Sequence, residues 1–273
     1  MDAQHWDRLA PRYDGEVFSV LDHDRLGLIS QRIADAGGTR RVASDLGCGP
    51  GRFLPLLSPA FRRVYAVDHS AELIAQARRS CAGLTNVQYV VQNVAALSDL
   101  PTVHLALSVN ALLTPSLELQ RQMLDFYAEH VRPGGTLLLV VPAFESAHLT
   151  RQMLIEWNLR DCATPDNALI DGFQPVSRTE AAEARQGVLE TGGVPTKHFS
   201  QEELETLLSL RGFQVREMLK LEYPWTTEFH DPPDWMQTPG PWDWLVVARR
   251  TRVNRPQAAR RPRHRSSSRS RNT

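Results

Sequence analysis

The feature that most constrains this chain is the stretch Val42-Ala43-Ser44-Asp45-Leu46-Gly47-Cys48-Gly49-Pro50-Gly51-Arg52-Phe53. An apolar run ends in an acid, three glycines follow at every second position, and Phe53, Leu54 and Leu57 then take up helical spacing. The stretch therefore predicts strand, tight turn and helix. Glycines let a ligand approach the backbone where a Cβ would clash, and the first N–H groups of the following helix point outward without partners, which suits anionic groups. A dinucleotide fingerprint needs a third glycine one position later, where Arg52 stands. The pattern is acid-x-Gly-x-Gly-x-Gly, so a pyrophosphate reading loses ground. Taken alone, Gly47, Gly49 and Gly51 are explained equally well by a sharp strand-to-helix turn with no ligand.

The following residues tip that balance. A second apolar strand, Val64-Tyr65-Ala66-Val67, ends in Asp68, 17 residues past Gly51, where a carboxylate can accept from both hydroxyls of a ribose. Ser70 is a helix cap, and Leu73, Ile74 and Ala77 share one face of the helix it opens. Asp45-Leu46-Gly47-Cys48-Gly49-Pro50-Gly51 followed by Val64-Tyr65-Ala66-Val67-Asp68-His69-Ser70 resembles the class I S-adenosylmethionine-dependent methyltransferases. The resemblance implies a Rossmann-like fold with a seven-stranded, mostly parallel, doubly wound sheet. It implies S-adenosylmethionine as cofactor, held by Asp45, Gly47, Cys48, Gly49, Gly51, Asp68 and His69.

The same resemblance extends outward from the turn. Trp6 to Asp14 is similar to the leading helix of many small-molecule members, which makes Tyr13 a candidate lid over the methionine end; packing on the domain edge is the plainer role. After a third strand, Val87-Gln88-Tyr89-Val90-Val91, the family has an acid against the adenine amino group. This chain has Asn93, which keeps an acceptor oxygen, with the N–H of Val94 beside it. His104 likewise replaces an acid at the start of the fourth strand. Asn110 follows that strand at the edge where ligands bind in open α/β sheets, beside the glycine turn, which makes it a further candidate for holding the cofactor. It is equally readable as a buried turn asparagine.

Composition bounds the rest. With 273 residues, 42% hydrophobic and 23% charged, the chain supports one sizeable core and an elaboration. No run approaches the roughly 18 apolar residues of a membrane span, and the polar first residues do not read as a signal peptide. Cys48, Cys81 and Cys162 are odd in number and widely spaced, which fits reduced thiols in the cytoplasm and predicts neither disulfide framework nor metal site. Ten of the 31 Lys and Arg residues lie from 249 onward with no acid among them, so the body before them carries all 31 acids against 21 basic residues. Having almost nothing apolar to bury, residues 252–273 are expected to form a disordered Arg/Ser-rich tail beyond a methyltransferase domain at 1–251.

Apolar residues between 4 and 30 predict one or two helices before the first strand. Spacing from 117 to 131 predicts a helix, closed by Arg132-Pro133-Gly134-Gly135 before the fifth strand, Thr136 to Val141. From 142 to 197 the alternation breaks for far longer than an ordinary connection. Leu149, Met153 and Trp157 fall four apart, and Ser177-Arg178-Thr179-Glu180 opens a second helix that Gly187 ends. A helical cap at about 143–197 is expected to leave the sheet's carboxyl edge and cover the substrate, although the apolar stripe is also what packing the cap onto the core requires. Ser200-Gln201-Glu202-Glu203 opens a further helix, and strands from Phe213 and Trp242 close the sheet, the last one antiparallel. The connection between them holds Tyr223, Trp225, His230 and Trp235.

A sulfonium methyl is already electrophilic, so holding a nucleophile in line in a dry cavity is the main task, and a base helps only a protonated amine or a hydroxyl. His148, His198 and His230 are candidate bases, each more often an ordinary surface or packing histidine. The expected acceptor is a small molecule, methylated on oxygen, nitrogen or carbon. Two other classes remain: an RNA or protein methyltransferase anchored by the basic tail, disfavoured by the acidic body, and a non-catalytic module that binds the cofactor. Neither a membrane partner nor an oligomeric state is indicated.

Overall fold

Strand β1 (Gly38–Leu46) is exposed over its polar first half and buried from Ala43 onward, so it enters the molecule from the surface and ends inside it. It pairs in parallel with β2 (Phe61–Asp68) on one side and β4 (Val103–Val109) on the other. Beyond them β3 (Val87–Val91) and β5 (Val131–Pro142) continue the parallel sheet, and helices after β1, β2 and β4 return the chain to the starting edge. The described residues of this computed structural model are 3–95, 100–161, 164, 167, 184–191 and 193–251; the expected tail and the 177–180 helix start lie outside them.

Period-two burial shows why the sheet is covered on both faces. In β5, Leu137, Leu139 and Val141 belong to one apolar core, and Leu138 and Val140 to the other. Helix α7 (Leu117–His130) covers the first face. The other is covered by α4 (Leu28–Ala36), α5 (Leu54–Ala60) and α6 (Ala71–Ser80), through Ile29, Ile33, Leu54, Leu57, Ile74 and Ala77. A near-continuous apolar strand is what such a doubly covered position needs. Strand β8 (Phe213–Glu222) and strand β9 (Trp242–Arg250) finish the sheet in the order β3-β2-β1-β4-β5-β9-β8, with β9 antiparallel to both neighbours. The expected sheet is therefore present.

The leading segment differs from the expected one or two helices. It is broken into α1 (Ala3–Leu9), α2 (Tyr13–Glu16), α3 (Val20–His23) and α4, with Pro11 and Gly27 at two of the breaks and Val17 turning extended after α2. Asp24 then opens α4, its carboxylate accepting from the Leu28 and Ile29 N–H groups at 2.8 Å each.

After β5 the chain enters α8 (Phe144–Arg160), and the insertion ends in an antiparallel pair, β6 (Val188–Thr191) with β7 (Val194–Lys197). The insertion is thus not purely helical: Val188-Leu189-Glu190-Thr191 and Val194-Pro195-Thr196-Lys197 flank Gly192-Gly193, and Gly193 takes a φ of +78°, a combination that favours a two-residue hairpin. Its two ends are stitched together. Phe144 N–H donates to Phe199 O at 3.0 Å, and Phe199 N–H donates to Pro142 O at 2.9 Å. Lys197 is buried against the Glu203 carboxylate at 2.8 Å, tying the hairpin to α9 (Gln201–Ser209), which Ser200 caps through Glu203 N–H as its sequence predicts. Of the expected stripe, Leu149 packs on the core and Trp157 meets the Phe229 ring edge-on at 5.8 Å. No helix among the described residues is long and apolar enough to cross a membrane.

Candidate active site

The acid that ends β1 and the glycines after it form the centre of the carboxyl edge. Gly47 and Cys48 both donate their N–H groups to Val67 O, at 2.8 and 3.0 Å, which locks the turn against the end of β2. The three glycines serve different needs. A Cβ on Gly47 would lie 2.5 Å from the Ala111 methyl, and one on Gly51 would lie 2.9 Å from Leu54 and 3.1 Å from Ala77, and both have positive φ. Those two glycines are demanded by the fold itself. Gly49 instead faces Tyr13, whose hydroxyl would be 3.0 Å from its Cβ.

Asp68 ties two turns together. Its Oδ2 accepts from Gly49 N–H and its Oδ1 from Ser70 N–H, each at 2.9 Å. Burial raises its carboxyl above the ordinary range, and these N–H groups oppose that rise. Asp45, 1% exposed, has no such relief: Oδ2 lacks any hydrogen-bond partner, and burial together with the Asp68 charge pushes the carboxyl up to about 8. A buried acceptor with nothing to accept from, beside a glycine cradle, fits a ligand that brings N–H donors and positive charge.

The leading helices are fastened over this point. Ser70 Oγ donates to Asp7 at 2.5 Å, Gln76 Nε2 donates to Ala10 O at 2.6 Å, and the Arg52 guanidinium sits 5.8 Å over the Tyr13 ring. Tyr13 is half-buried, its hydroxyl pushed up to about 12 by burial and by Asp68. On the other side of Asp68, Gln92 N–H donates to Asp68 O at 2.8 Å, which brings the exposed Asn93 and the buried Val94 to the same edge. There Asn93 Oδ1 accepts from Ala95 N–H at 2.9 Å. His69 is half-buried between Asp68 and Ser70.

Asn110 does something the sequence did not reveal. With a φ of +46° it donates Nδ2–H to Asp243 Oδ2 at 3.1 Å, and the Tyr223 hydroxyl donates to the same oxygen at 3.0 Å. Asp243 is 8% exposed at the start of β9, opposite Pro142 of β5, so this cluster stands on the same edge as the glycine turn. The only available signal was an acid between Trp242 and Trp244 in an otherwise apolar strand. Phe18 and His23 lie against Tyr223, with ring centroids 4.8 and 6.1 Å away.

The histidines fare differently. His148 and His230 are exposed, and His198 is engaged at Nδ1 by Thr196 O at 3.1 Å, with burial lowering its pKa. None of the three hydrogen-bonds to Asp45, Asp68 or Asp243. Among the described residues no cluster of His, Cys, Asp and Glu is arranged to hold a metal ion.

Residues 43–135, the span from β1 into β5, match a family model described as a methyltransferase domain. That span of the chain is a methyltransferase domain. The chain is an S-adenosylmethionine-dependent methyltransferase. Among curated proteins this methyltransferase is 28% identical over 160 residues to a probable cobalt-precorrin-6B C(15)-methyltransferase (decarboxylating) from Methanothermobacter thermautotrophicus, covering 55% of this chain and 81% of that one. Among solved structures it is similar to the N-methyltransferase NodS of Bradyrhizobium japonicum in complex with S-adenosyl-L-homocysteine. The TM-score is 0.58 at 14% identity, over 91% of this chain and 97% of that one. It is similar also to magnesium protoporphyrin IX methyltransferase of Synechocystis PCC 6803, with a TM-score of 0.55 at 17% identity, over 92% and 96% of the two chains. At such identities these structures speak to the fold.

Proposed function

We propose that this methyltransferase acts on a small molecule in the cytoplasm, and that Tyr13, Asp45, Gly47, Cys48, Gly49, Gly51, Asp68, His69, Asn93 and Val94 hold the methyl donor. The observation that carries the donor assignment is the buried, unpartnered oxygen of Asp45 beside Gly49. The donor's methionine end brings an ammonium and a sulfonium, which supply the missing N–H and positive charge. Asp68, at the next strand end, is placed for ribose hydroxyls, and its lone pairs not used by Gly49 and Ser70 remain to accept. When bound, the donor supplies an electrophilic methyl group. The chain's own part is to fix it by the edge of β1 and β2, to cover it with Tyr13, and to exclude water.

A small acceptor is favoured by the insertion, whose α8 and hairpin rise from the carboxyl edge of β5, and by the surplus of acids over basic residues before position 249. Free, buried thiols at Cys48 and Cys81 suit a reducing compartment. The arginine-rich residues after 249 favour a second reading, an RNA acceptor held by phosphate contacts. Methyl transfer from labelled S-adenosylmethionine into a deproteinised metabolite extract, run beside bulk RNA, decides between them. We expect label in the extract and none in RNA, and the reverse result would overturn the small-molecule reading.

A further inference from the structure

Three buried carboxyls stand along the carboxyl edge of the sheet: Asp45 near the end of β1, Asp68 at the end of β2 and Asp243 opposite the end of β5. Among the described residues none of them makes an ion pair with Lys or Arg. The glycine turn lies on the β1 and β2 side, so the donor occupies that half, which leaves β4, β5 and β9 to face the acceptor. On that second half two acceptor atoms have no donor. Asn110 Oδ1 is buried and has no partner, and the two donors that reach the Asp243 carboxyl, the Asn110 amide and the Tyr223 hydroxyl, both go to Oδ2 and leave Oδ1 open. The amide orientation follows from its acceptor: only its NH2 group can face a carboxylate, so the carbonyl oxygen must face the other way. A non-glycine residue at φ +46° is strained backbone, and it keeps this amide at the boundary between the two halves.

We infer that the methyl acceptor is an amine, which donates two N–H bonds, one to Asn110 Oδ1 and one to Asp243 Oδ1, and that Asp243 takes its proton. This rests on the small-molecule reading above and names the acceptor's reacting group. A hydroxyl has one hydrogen and serves only one of these two oxygens, while a carbon or thioether nucleophile serves neither. A primary or secondary ammonium serves both and brings positive charge to a buried carboxyl that no Lys or Arg neutralises. An ammonium must shed a proton before its electron pair can react. That proton passes to Asp243 Oδ1, the freed pair forms the nitrogen–carbon bond, the methyl carbon's bond to sulfur breaks with its pair remaining on sulfur, and the carboxylic acid later returns the proton to water. Burial raises the Asp243 carboxyl above the ordinary range, toward the pH where a base of this kind works. The Tyr223 hydroxyl, itself held protonated by burial and by this carboxylate, is a positioning residue that keeps Oδ2 occupied and Oδ1 turned outward.

The test uses the full chain, S-adenosylmethionine carrying carbon-13 in its methyl group, and a deproteinised small-molecule extract. The carbon shift of the product methyl reads the atom that bears it. A methyl on nitrogen is expected; a methyl on oxygen, sulfur or carbon overturns the inference and leaves the small-molecule reading standing. A parent enzyme that labels no small molecule overturns that reading, and this inference with it. Asp243→Asn should lower transfer at least a hundredfold and Asn110→Gly, which keeps the positive φ without strain, at least tenfold. Each should bind S-adenosylhomocysteine within threefold of the parent by calorimetry. Parental transfer by both folded variants, or a loss of S-adenosylhomocysteine affinity that matches the loss of transfer, overturns the assignment. Should Asp243→Asn fail to fold, Asn110→Gly and the position of the label each decide it alone.

Discussion

The two halves of the carboxyl edge are built by different means. On the β1 and β2 side the site is backbone: N–H groups of Gly47 and Cys48 bound to Val67 O, Gly49 and Ser70 bound to Asp68, glycines where side chains cannot fit. On the β4, β5 and β9 side it is side chains brought together from far apart, Asn110 with Asp243 across 133 residues, under an insertion with its own helix and hairpin. A backbone site is specified by a short continuous stretch and tolerates little change. A side-chain site assembled across the sheet can be altered one residue at a time. The donor is common to all reactions of such an enzyme and the acceptor is particular, so under the proposed assignment the rigid half serves the constant ligand and the assembled half the variable one.

The largest effect should come from breaking the backbone half. Gly49→Val places a branched side chain where even a Cβ meets the Tyr13 hydroxyl, at a φ of +52°. Calorimetry should find S-adenosylmethionine affinity lowered more than a hundredfold, while the melting temperature falls only modestly. Affinity within threefold of the parent in this variant would mean that the glycine turn is a fold device alone.

A smaller and opposite effect is expected in the assembled half. Exchanging residues 150–186 for a flexible Gly/Ser linker keeps Glu145, Ser146 and Leu149, which bond Trp244 and Trp242 and pack on the core, and keeps the β6–β7 hairpin. S-adenosylhomocysteine affinity should stay within a few fold and transfer to the small-molecule acceptor should be lost. A variant of this kind that methylates at the parental rate would show that the insertion does not shape the acceptor site.

The mildest test sharpens the comparison through pH. Asp45 has a folded pKa of about 8 against an unfolded value of about 3.9, so between those values the folded chain holds a proton that the unfolded chain has released. Without ligand, stability should therefore fall as pH rises from about 4 to about 8, and the slope should flatten in Asp45→Asn. Saturating S-adenosylmethionine should also flatten it by stabilising the ionised form. An unchanged slope in Asp45→Asn, followed by thermal melting, would remove Asp45 from this role.

Legibility in the sequence follows the same division. Asp45 to Gly51 and Asp68 are consecutive motifs whose chemistry depends on near neighbours, and the sheet follows from alternation of strands and helices. The Ser200 cap was readable for the same reason. The leading helices are more numerous than the apolar spacing predicts because Pro11 and Gly27 break a pattern that taken alone continues through them. The hairpin at 188–197 was passed over because a helix stop at Gly187 and a Gly-Gly turn look alike without knowledge of what pairs afterwards. Asp243 shows in the sequence only as an acid within an apolar strand, because its partners are 20 and 133 residues away and only the antiparallel return of β9 brings it to Pro142.

The stitched ends of the insertion carry a consequence for how such proteins diversify. Because Pro142 and Phe144 are both hydrogen-bonded to Phe199, the chain leaves the scaffold and rejoins it through a single closed doorway. The entropy of closing the loop is met at that doorway and grows only as the logarithm of what lies beyond it, about 0.6 kcal/mol for each doubling in length. Segments of quite different size and sequence can therefore be exchanged there without disturbing the sheet. The doorway is a socket, and it lets one donor-binding scaffold be refitted for new acceptors.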